Sequence, residues 1–339
     1  MTPLRVLAGD IGGTKTLLQL AEFEPGGTRP QRVLHAARYD SAAYPELAPL
    51  LDDFLHGITQ PLHGACLAVA GPVQGDATHQ FTRLTNLPWQ LDSQRLAADL
   101  GLPAVRLIND FQAVGYGIEA LHAAELSPLH AGTAQAHAPR VVLGAGTGLG
   151  VALLMPCHDR YEVFPTEAGH MDFAAADGLQ DDLLAFLRRE YGHVSWERLV
   201  SGPGLIALYR YLLARDGATD HAALLQATDA AAAIAAAPDM RARAAVDLFV
   251  RLYGAFAGNL ALTCLARGGV YLAGGIATKI LPHLQQGGFA HSYCDKGRMR
   301  AVVENIPVHV VTNAQVGLLG ALLAAARLAM QDSTFTIQH

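Results

Sequence analysis

The chain has 339 residues, enough for about two domains or one large one. Hydrophobic residues make up 51% and charged residues 16%, which excludes a disordered chain, because disorder needs the opposite balance. Lys and Arg number 24 against 30 Asp and Glu, and a net charge of −6 is a poor basis for general nucleic-acid binding.

Leu4 to Ala8 is a short apolar run that ends at Gly9-Asp10 and reads as a buried strand. Gly12-Gly13 supplies a tight turn, and Thr16 to Ala21 reads as the returning strand of a hairpin. Glu24 to Pro30 reads as a turn and Val33 to Tyr39 as a third strand. Tyr44 to Ile58 has helical spacing, with Leu47, Leu50, Leu51, Phe54 and Leu55 on one face. Gly64 to Ala70 is another apolar run, ended by Gly71-Pro72, and Ser93 to Leu100 reads as a helix capped by Ser93. Val105 to Ile108 is a strand ending at Asn109-Asp110, and Phe111 to Leu121 reads as a helix. Ser127 to Pro139 reads as a loop. Val141 to Leu143, the glycine turn Gly144 to Gly150 and Val151 to Met155 then repeat the N-terminal plan. The remainder reads as helix-rich: Asp181 to Glu190, Ser195 to Leu199, Gly204 to Arg215, Asp220 to Ala237 and Met240 to Leu265. Val270 to Ala273 is a strand ending at Gly274-Gly275. Val308 to Val311 is a late strand, and Val316 to Met330 is a closing helix.

The N-terminus lacks the long apolar core and small-residue cleavage site of a signal peptide. The best membrane candidate, Val316 to Ala326, falls short of the ~18 apolar residues a spanning helix needs. Cys66, Cys157, Cys264 and Cys294 are scattered, with no C-x-x-C, so a zinc knuckle or thioredoxin-like motif is not expected. Free thiols of this kind fit a reducing cytoplasm.

Five constellations carry chemistry. In Asp10-Ile11-Gly12-Gly13-Thr14-Lys15, glycines let backbone N–H groups approach phosphate oxygens, and Asp10 at a strand end can hold Mg²⁺ through water. An ordinary hairpin turn reads the same way. Neither G-x-x-x-x-G-K-[ST] nor G-x-G-x-x-G fits. Gly144 to Gly150 reads as a second phosphate hairpin, with Thr147 in the place of Thr14, or as a flexible linker. Asp110, at the end of a buried strand, is placed either to accept a proton from a hydroxyl or to cap the helix. Glu167-Ala168-Gly169-His170 with Glu197 suits a polyhydroxylated ligand, a metal, or plain surface polarity. Gly274-Gly275 lets a flat base or ribose lie against the backbone, or a helix start pack closely.

The blocks G-D-I-G-G-T-K, A-G-P-V-Q-G-D, T-N-L-P-W, I-N-D-F-Q-A-V, G-A-G-T-G-L-G-V, E-A-G-H-M-D-F, S-G-P-G-L and A-G-G-I run in order from residue 9 to about 277. Together they resemble bacterial glucokinases of the hexokinase superfamily; Gly254 to Leu262 and Gly317-x-x-Gly320 are similar too. The resemblance implies an α/β fold of two actin-like ATPase (ribonuclease H-like) domains with a cleft between them. On this reading a small domain spans residues 1–110 plus about 312–339, and a large one about 111–311. It implies ATP-dependent phosphorylation of glucose at the 6-hydroxyl with Mg²⁺, in a cytoplasmic homodimer that needs no nucleic acid or membrane.

The same resemblance implies residue roles. Asp110 resembles the general base. Asn109, Glu167, His170 and Glu197 resemble the groups that hold the other sugar hydroxyls, and Asn86 lies in the block that lines the sugar side. Gly12, Gly13 and Thr14 resemble the first phosphate loop, Gly146, Thr147 and Gly148 the second, and Gly274 and Gly275 the adenosine contact. Asp10 resembles the Mg²⁺-side carboxylate, while Lys15 takes no role. The chain lacks the cysteine-rich zinc segment of repressor-type relatives, having no cysteine from 158 to 263. Its first phosphate loop starts at residue 9, so a DNA-binding extension is not expected.

Overall fold

The structure is a computed structural model that describes residues 3–84, 87–218 and 222–335. Its residues sort into two units. One is Met1–Ala123, Tyr161–Val163 and Gln315–His339; the other is Ala124–Arg160 and Phe164–Ala314.

The first unit opens with β1 (Leu4–Ile11), β2 (Lys15–Phe23) and β3 (Pro30–Asp40). Helix α1 (Leu47–Leu55) follows, then β4 (Gly64–Val69). A three-stranded sheet comes next, from β5 (Gln74–Gly75), β6 (Gln80–Arg83) and β7 (Gln90–Asp92). Then come α2 (Ser93–Leu100), β8 (Val105–Asn109) and α3 (Asp110–Ile118). The main sheet runs β3-β2-β1-β4-β8, antiparallel from β1 to β3 and parallel from β1 through β4 to β8. Strands buried on both faces need near-continuous apolar text, which is why β4 is GACLAV with every residue buried. The stripe read on α1 is the one that packs: Leu47, Leu50, Leu51 and Phe54 are buried, each worth about 1.5–3 kcal/mol.

One reading is corrected here. Asp92, not Ser93, caps α2, its Oδ1 accepting from the N–H groups of Gln94 and Arg95 at 2.9 and 3.0 Å. Ser93 instead accepts the Gln80 N–H at 2.9 Å and so pins β6 to α2.

The second unit contains β9 (Leu126–His130), β10 (Arg140–Ala145), β11 (Leu149–Cys157) and the ends of β12 (Arg160–Thr166), whose Tyr161–Val163 sort with the first unit. Its helices begin with α4 (Gly178–Tyr191), α5 (Gly202–Arg215), α6 (Ala222–Leu225), α7 (Ala230–Ala236) and α8 (Met240–Thr263). The chain continues through β13 (Val270–Ala273), α9 (Gly275–Lys279), α10 (Leu281–Leu284), α11 (Gly288–Cys294), α12 (Arg300–Val303) and β14 (Val308–Val311). The sheet order is β12-β11-β10-β13-β14-β9. Its first five strands follow the same plan as the first sheet: an antiparallel hairpin beside a parallel continuation. The repeat of glycine hairpins read from the sequence is therefore a repeat of topology. One stretch read as loop, Ser127 to Pro139, contains the edge strand β9, which is antiparallel to β14; Pro128 is tolerated because it lies on the edge. The long helix read over Asp220 to Ala237 is broken, with Asp229 capping the separate α7 through the Ala232 N–H at 3.0 Å. Helix α8 is long and apolar enough to span a bilayer by composition, with a mean hydropathy of 1.3, but 72% of that window is buried within the protein, as a core helix is.

The chain closes with α13 (Val316–Phe335), which returns to the first unit and packs on α3, β1 and β4. Helices α3 and α13 meet backbone to backbone. A Cβ on Gly320 would lie 1.8 Å from the Ala113 carbonyl oxygen, and one on Gly117 would lie 2.1 Å from that of Val316. Arg327 of α13 donates to both carboxylate oxygens of Glu119, just past the end of α3, at 3.0 Å each.

Candidate active site

In the first unit, the C-terminal ends of the parallel strands form the edge where α/β sheets bind ligands. Ile11, Val69 and Asn109 stand abreast in register, so Asp10 and Asp110 flank that edge. Asn109 takes the capping role on α3: its Oδ1 accepts from the N–H groups of Phe111 and Gln112 at 2.8 and 3.3 Å, and its amide donates to the Gly71 carbonyl at 3.2 Å. The capping alternative for Asp110 is thereby removed. Asp110 is the first helical residue, with one oxygen 2.8 Å from the Phe111 N–H. Burial pushes its carboxyl above the ordinary carboxylate range; the Phe111 N–H pulls it back, and the charge on Asp10 pushes it further up. Burial likewise raises Asp10, against the pull of the Lys15 ammonium.

The first glycine turn is held from below. Gly12 donates its N–H to the Lys15 carbonyl at 3.0 Å, Ser41 donates its N–H to the Thr14 carbonyl at 3.2 Å, and the Ser41 hydroxyl donates to the Gly12 carbonyl at 3.0 Å. Buried Ser41 also meets the buried Thr16 hydroxyl at 3.0 Å. Gly12 thus spends its N–H inside the turn, while the Gly13 and Thr14 N–H groups meet no acceptor among the described residues. The Asp10 carboxylate accepts no hydrogen bond from the described residues. A half-buried, unpartnered carboxylate beside a glycine turn fits Mg²⁺, which uses one or two carboxylates together with substrate phosphates and water. No cluster of three or more His, Cys, Asp or Glu side chains forms an all-protein cage among the described residues.

In the second unit, Gly146-Thr147-Gly148 turns β10 into β11, with the Gly146 N–H on the Gly148 carbonyl at 2.8 Å. This turn is one residue shorter than the first, counted between the last paired residues Ala145–Leu149 and Ile11–Thr16. Glu197 supports it from beneath: its Oε2 accepts the Leu149 N–H at 2.9 Å and lies 2.7 Å from where a Gly148 Cβ would be. Glu167 and His170 bracket a single helical turn, Ala168–His170, whose Gly169 presses on the Leu149 carbonyl, 2.2 Å from its absent Cβ. Both ends of the Leu149 peptide therefore gather Glu167, His170 and Glu197 around one strand start. Glu167 and His170 approach each other to 3.8 Å and are largely exposed.

Gly274, at φ +89°, ends β13 close to the Ala145 carbonyl, a conformation that favours glycine. Beside it lies a cavity of about 420 Å³ that brings together Gly146, Thr147 and Gly275. Gly202-Pro203, Lys279 and the N-terminal turn of α7 complete its wall. Sequence reasoning missed these, although S-G-P-G-L stood out as a block. It also missed Ser41, which no local signal marks. Asn86 lies outside the described residues.

The Glucokinase family profile matches residues 7–328 of the chain. The glucokinase of Nostoc punctiforme is 43% identical over 344 aligned positions, covering 95% of this chain and 99% of its own. Among solved structures, a glucokinase from an Antarctic psychrotroph is similar with a TM-score of 0.83 at 29% identity, over 95% of this chain and 99% of its own. A ROK family glucokinase from Streptomyces griseus, solved with glucose and AMPPNP, shares the fold with a TM-score of 0.59 at 19% identity, over 95% and 99%.

Proposed function

The chain belongs to the glucokinase family, and from that membership we propose how its residues divide the work of the reaction. The reaction is ATP-dependent phosphorylation of glucose: a P–O bond forms at the 6-hydroxyl, the bond from the γ-phosphorus to the β-bridging oxygen breaks, and ADP leaves. Such transfers depend on positioning and charge stabilisation more than on covalent catalysis.

Asp110 takes the proton from the attacking hydroxyl. The observation that carries this is its environment: a carboxylate at the ligand-binding edge of the sheet, raised by burial towards a useful basicity, and relieved of capping by Asn109. Asn86, Asn109, Glu167, His170 and Glu197 hold the remaining sugar hydroxyls. The free N–H groups of Gly13 and Thr14 and the turn at Gly146, Thr147 and Gly148 hold phosphates. The cavity beside Gly274 and Gly275 holds the adenosine. Asp10 would hold Mg²⁺, which supplies charge neutralisation on the phosphates. The protein works in the cytoplasm as a homodimer.

A coupled assay with purified protein, ATP and Mg²⁺ tests this reading against glucose, mannose, fructose and N-acetylglucosamine. Glucose should give the highest turnover. Asp110→Ala should lower kcat by about 10²–10⁴-fold with little change in glucose binding. Near-normal turnover in that variant would sink the base assignment.

A further inference from the structure

Helix α7 is a partition. One side walls the nucleotide cavity, and the other walls a second cavity of about 440 Å³, completed by Arg243 and Asp247 of α8, His283 of α10, and Gln286; Ala235 lines both. The polar groups of the second cavity are unspent. Arg243 and Asp247 stand one helical turn apart, where opposite charges ordinarily pair, yet neither side chain has a partner among the described residues. The Nδ1 of His283 is buried with no hydrogen bond, and the Gln286 amide has none either.

This donor set discriminates between ligands. A simple anion would meet Asp247, and a simple cation would meet Arg243. A zwitterion satisfies both, its carboxylate on the Arg243 fork and its ammonium on Asp247, leaving His283 and Gln286 for its other polar atoms. We propose that this cavity binds a free α-amino acid, and that α7 couples its occupancy to nucleotide binding. Helix α7 suits that role because it is almost all alanine and has one fully buried side chain, Ile234, to hold it in place. The coupling, though not the amino-acid binding, rests on assigning the first cavity to the nucleotide.

The test is calorimetric titration of the full chain with each protein amino acid at millimolar concentration, with acetate and methylammonium as half-ligands. At least one amino acid should bind saturably at one site per chain, and neither half-ligand should. Arg243→Gln and Asp247→Asn change exposed side chains outside the catalytic set, and each should weaken binding about tenfold or more. The bound amino acid should change the AMPPNP dissociation constant by the same factor that AMPPNP changes its own. No saturable binding, or binding indifferent to both variants, overturns the site. Binding without any shift for AMPPNP overturns the coupling. If AMPPNP fails to bind the unaltered protein, the nucleotide assignment falls while the amino-acid site stands on its own titration.

Discussion

Replacing Arg327 by Met should destabilise the first unit sharply. The Arg327 and Glu119 side chains are each 9% exposed and share two hydrogen bonds of 3.0 Å. Arg327 also donates to the Tyr161 carbonyl at 3.3 Å. In Arg327→Met the Glu119 carboxylate stays buried with little beyond the Tyr161 N–H, 3.2 Å away, to satisfy it. Stranding one member of a buried ion pair costs about 3–5 kcal/mol. At about 2–4 °C per kcal/mol for a unit of this size, the melting temperature should fall by roughly 10 °C. The double variant Glu119→Leu with Arg327→Met should recover most of that loss, because no charge is left unpaired. Thermal unfolding of the two variants beside the parent protein measures both effects. A single variant that melts like the parent, or a double variant no better than the single, would refute the reasoning.

Three further outcomes are expected. Gly320→Ala drives a methyl group into the Ala113 carbonyl, so α13 must back away from α3; stability should drop by at least ~1–3 kcal/mol, and kcat should fall more than KM changes, read from a melt and steady-state kinetics. Ser41→Ala leaves the buried Thr16 hydroxyl without its partner and frees the first glycine turn, costing about 1–3 kcal/mol and raising KM for ATP if that turn holds the phosphates as proposed; an unchanged KM would remove Ser41 from the site. Asp110 has a folded pKa above its unfolded one, so its ionisation costs stability as pH rises through the ordinary carboxylate range and beyond. Asp110→Asn should therefore melt higher than the parent at pH 7, and the gain should shrink as pH falls towards the unfolded carboxylate pKa, whereas a gain independent of pH would contradict the assignment.

Periodicity made the core elements legible. The stripe Leu47, Leu50, Leu51, Phe54 and the apolar runs of β1, β4 and β13 are local patterns with one packing solution. The glycine blocks were legible because clustered glycines between two apolar runs mark turns. The short strands were not. β9 is an edge strand whose partner, β14, lies far along the chain, while β6 and β12 pair with strands next to them in sequence but carry little apolar text of their own. The division of labour in Asn109-Asp110 was not legible either. Either residue can cap a helix; the Asn109 Oδ1 takes the Phe111 and Gln112 N–H groups, and its amide is held by the Gly71 carbonyl, 38 residues away in the chain. Ser41 follows the same rule: it acts on a turn distant in sequence, so nothing nearby announces it.

The contact between α3 and α13 also sets an order of assembly. The second unit is nearly continuous in the chain, and its parts are all available once residue 314 has left the ribosome. Most of the first unit precedes it, yet the helix that covers β1, β4 and α3 is made only after the second unit. The usual vectorial advantage of an N-terminal unit is lost. Until α13 is made, α3 lacks its main packing partner, and the apolar faces awaiting buried residues such as Leu318, Leu322 and Ala325 stay uncovered. A chain stopped before residue 316 should therefore aggregate or be degraded as a nascent product rather than persist as a weak enzyme.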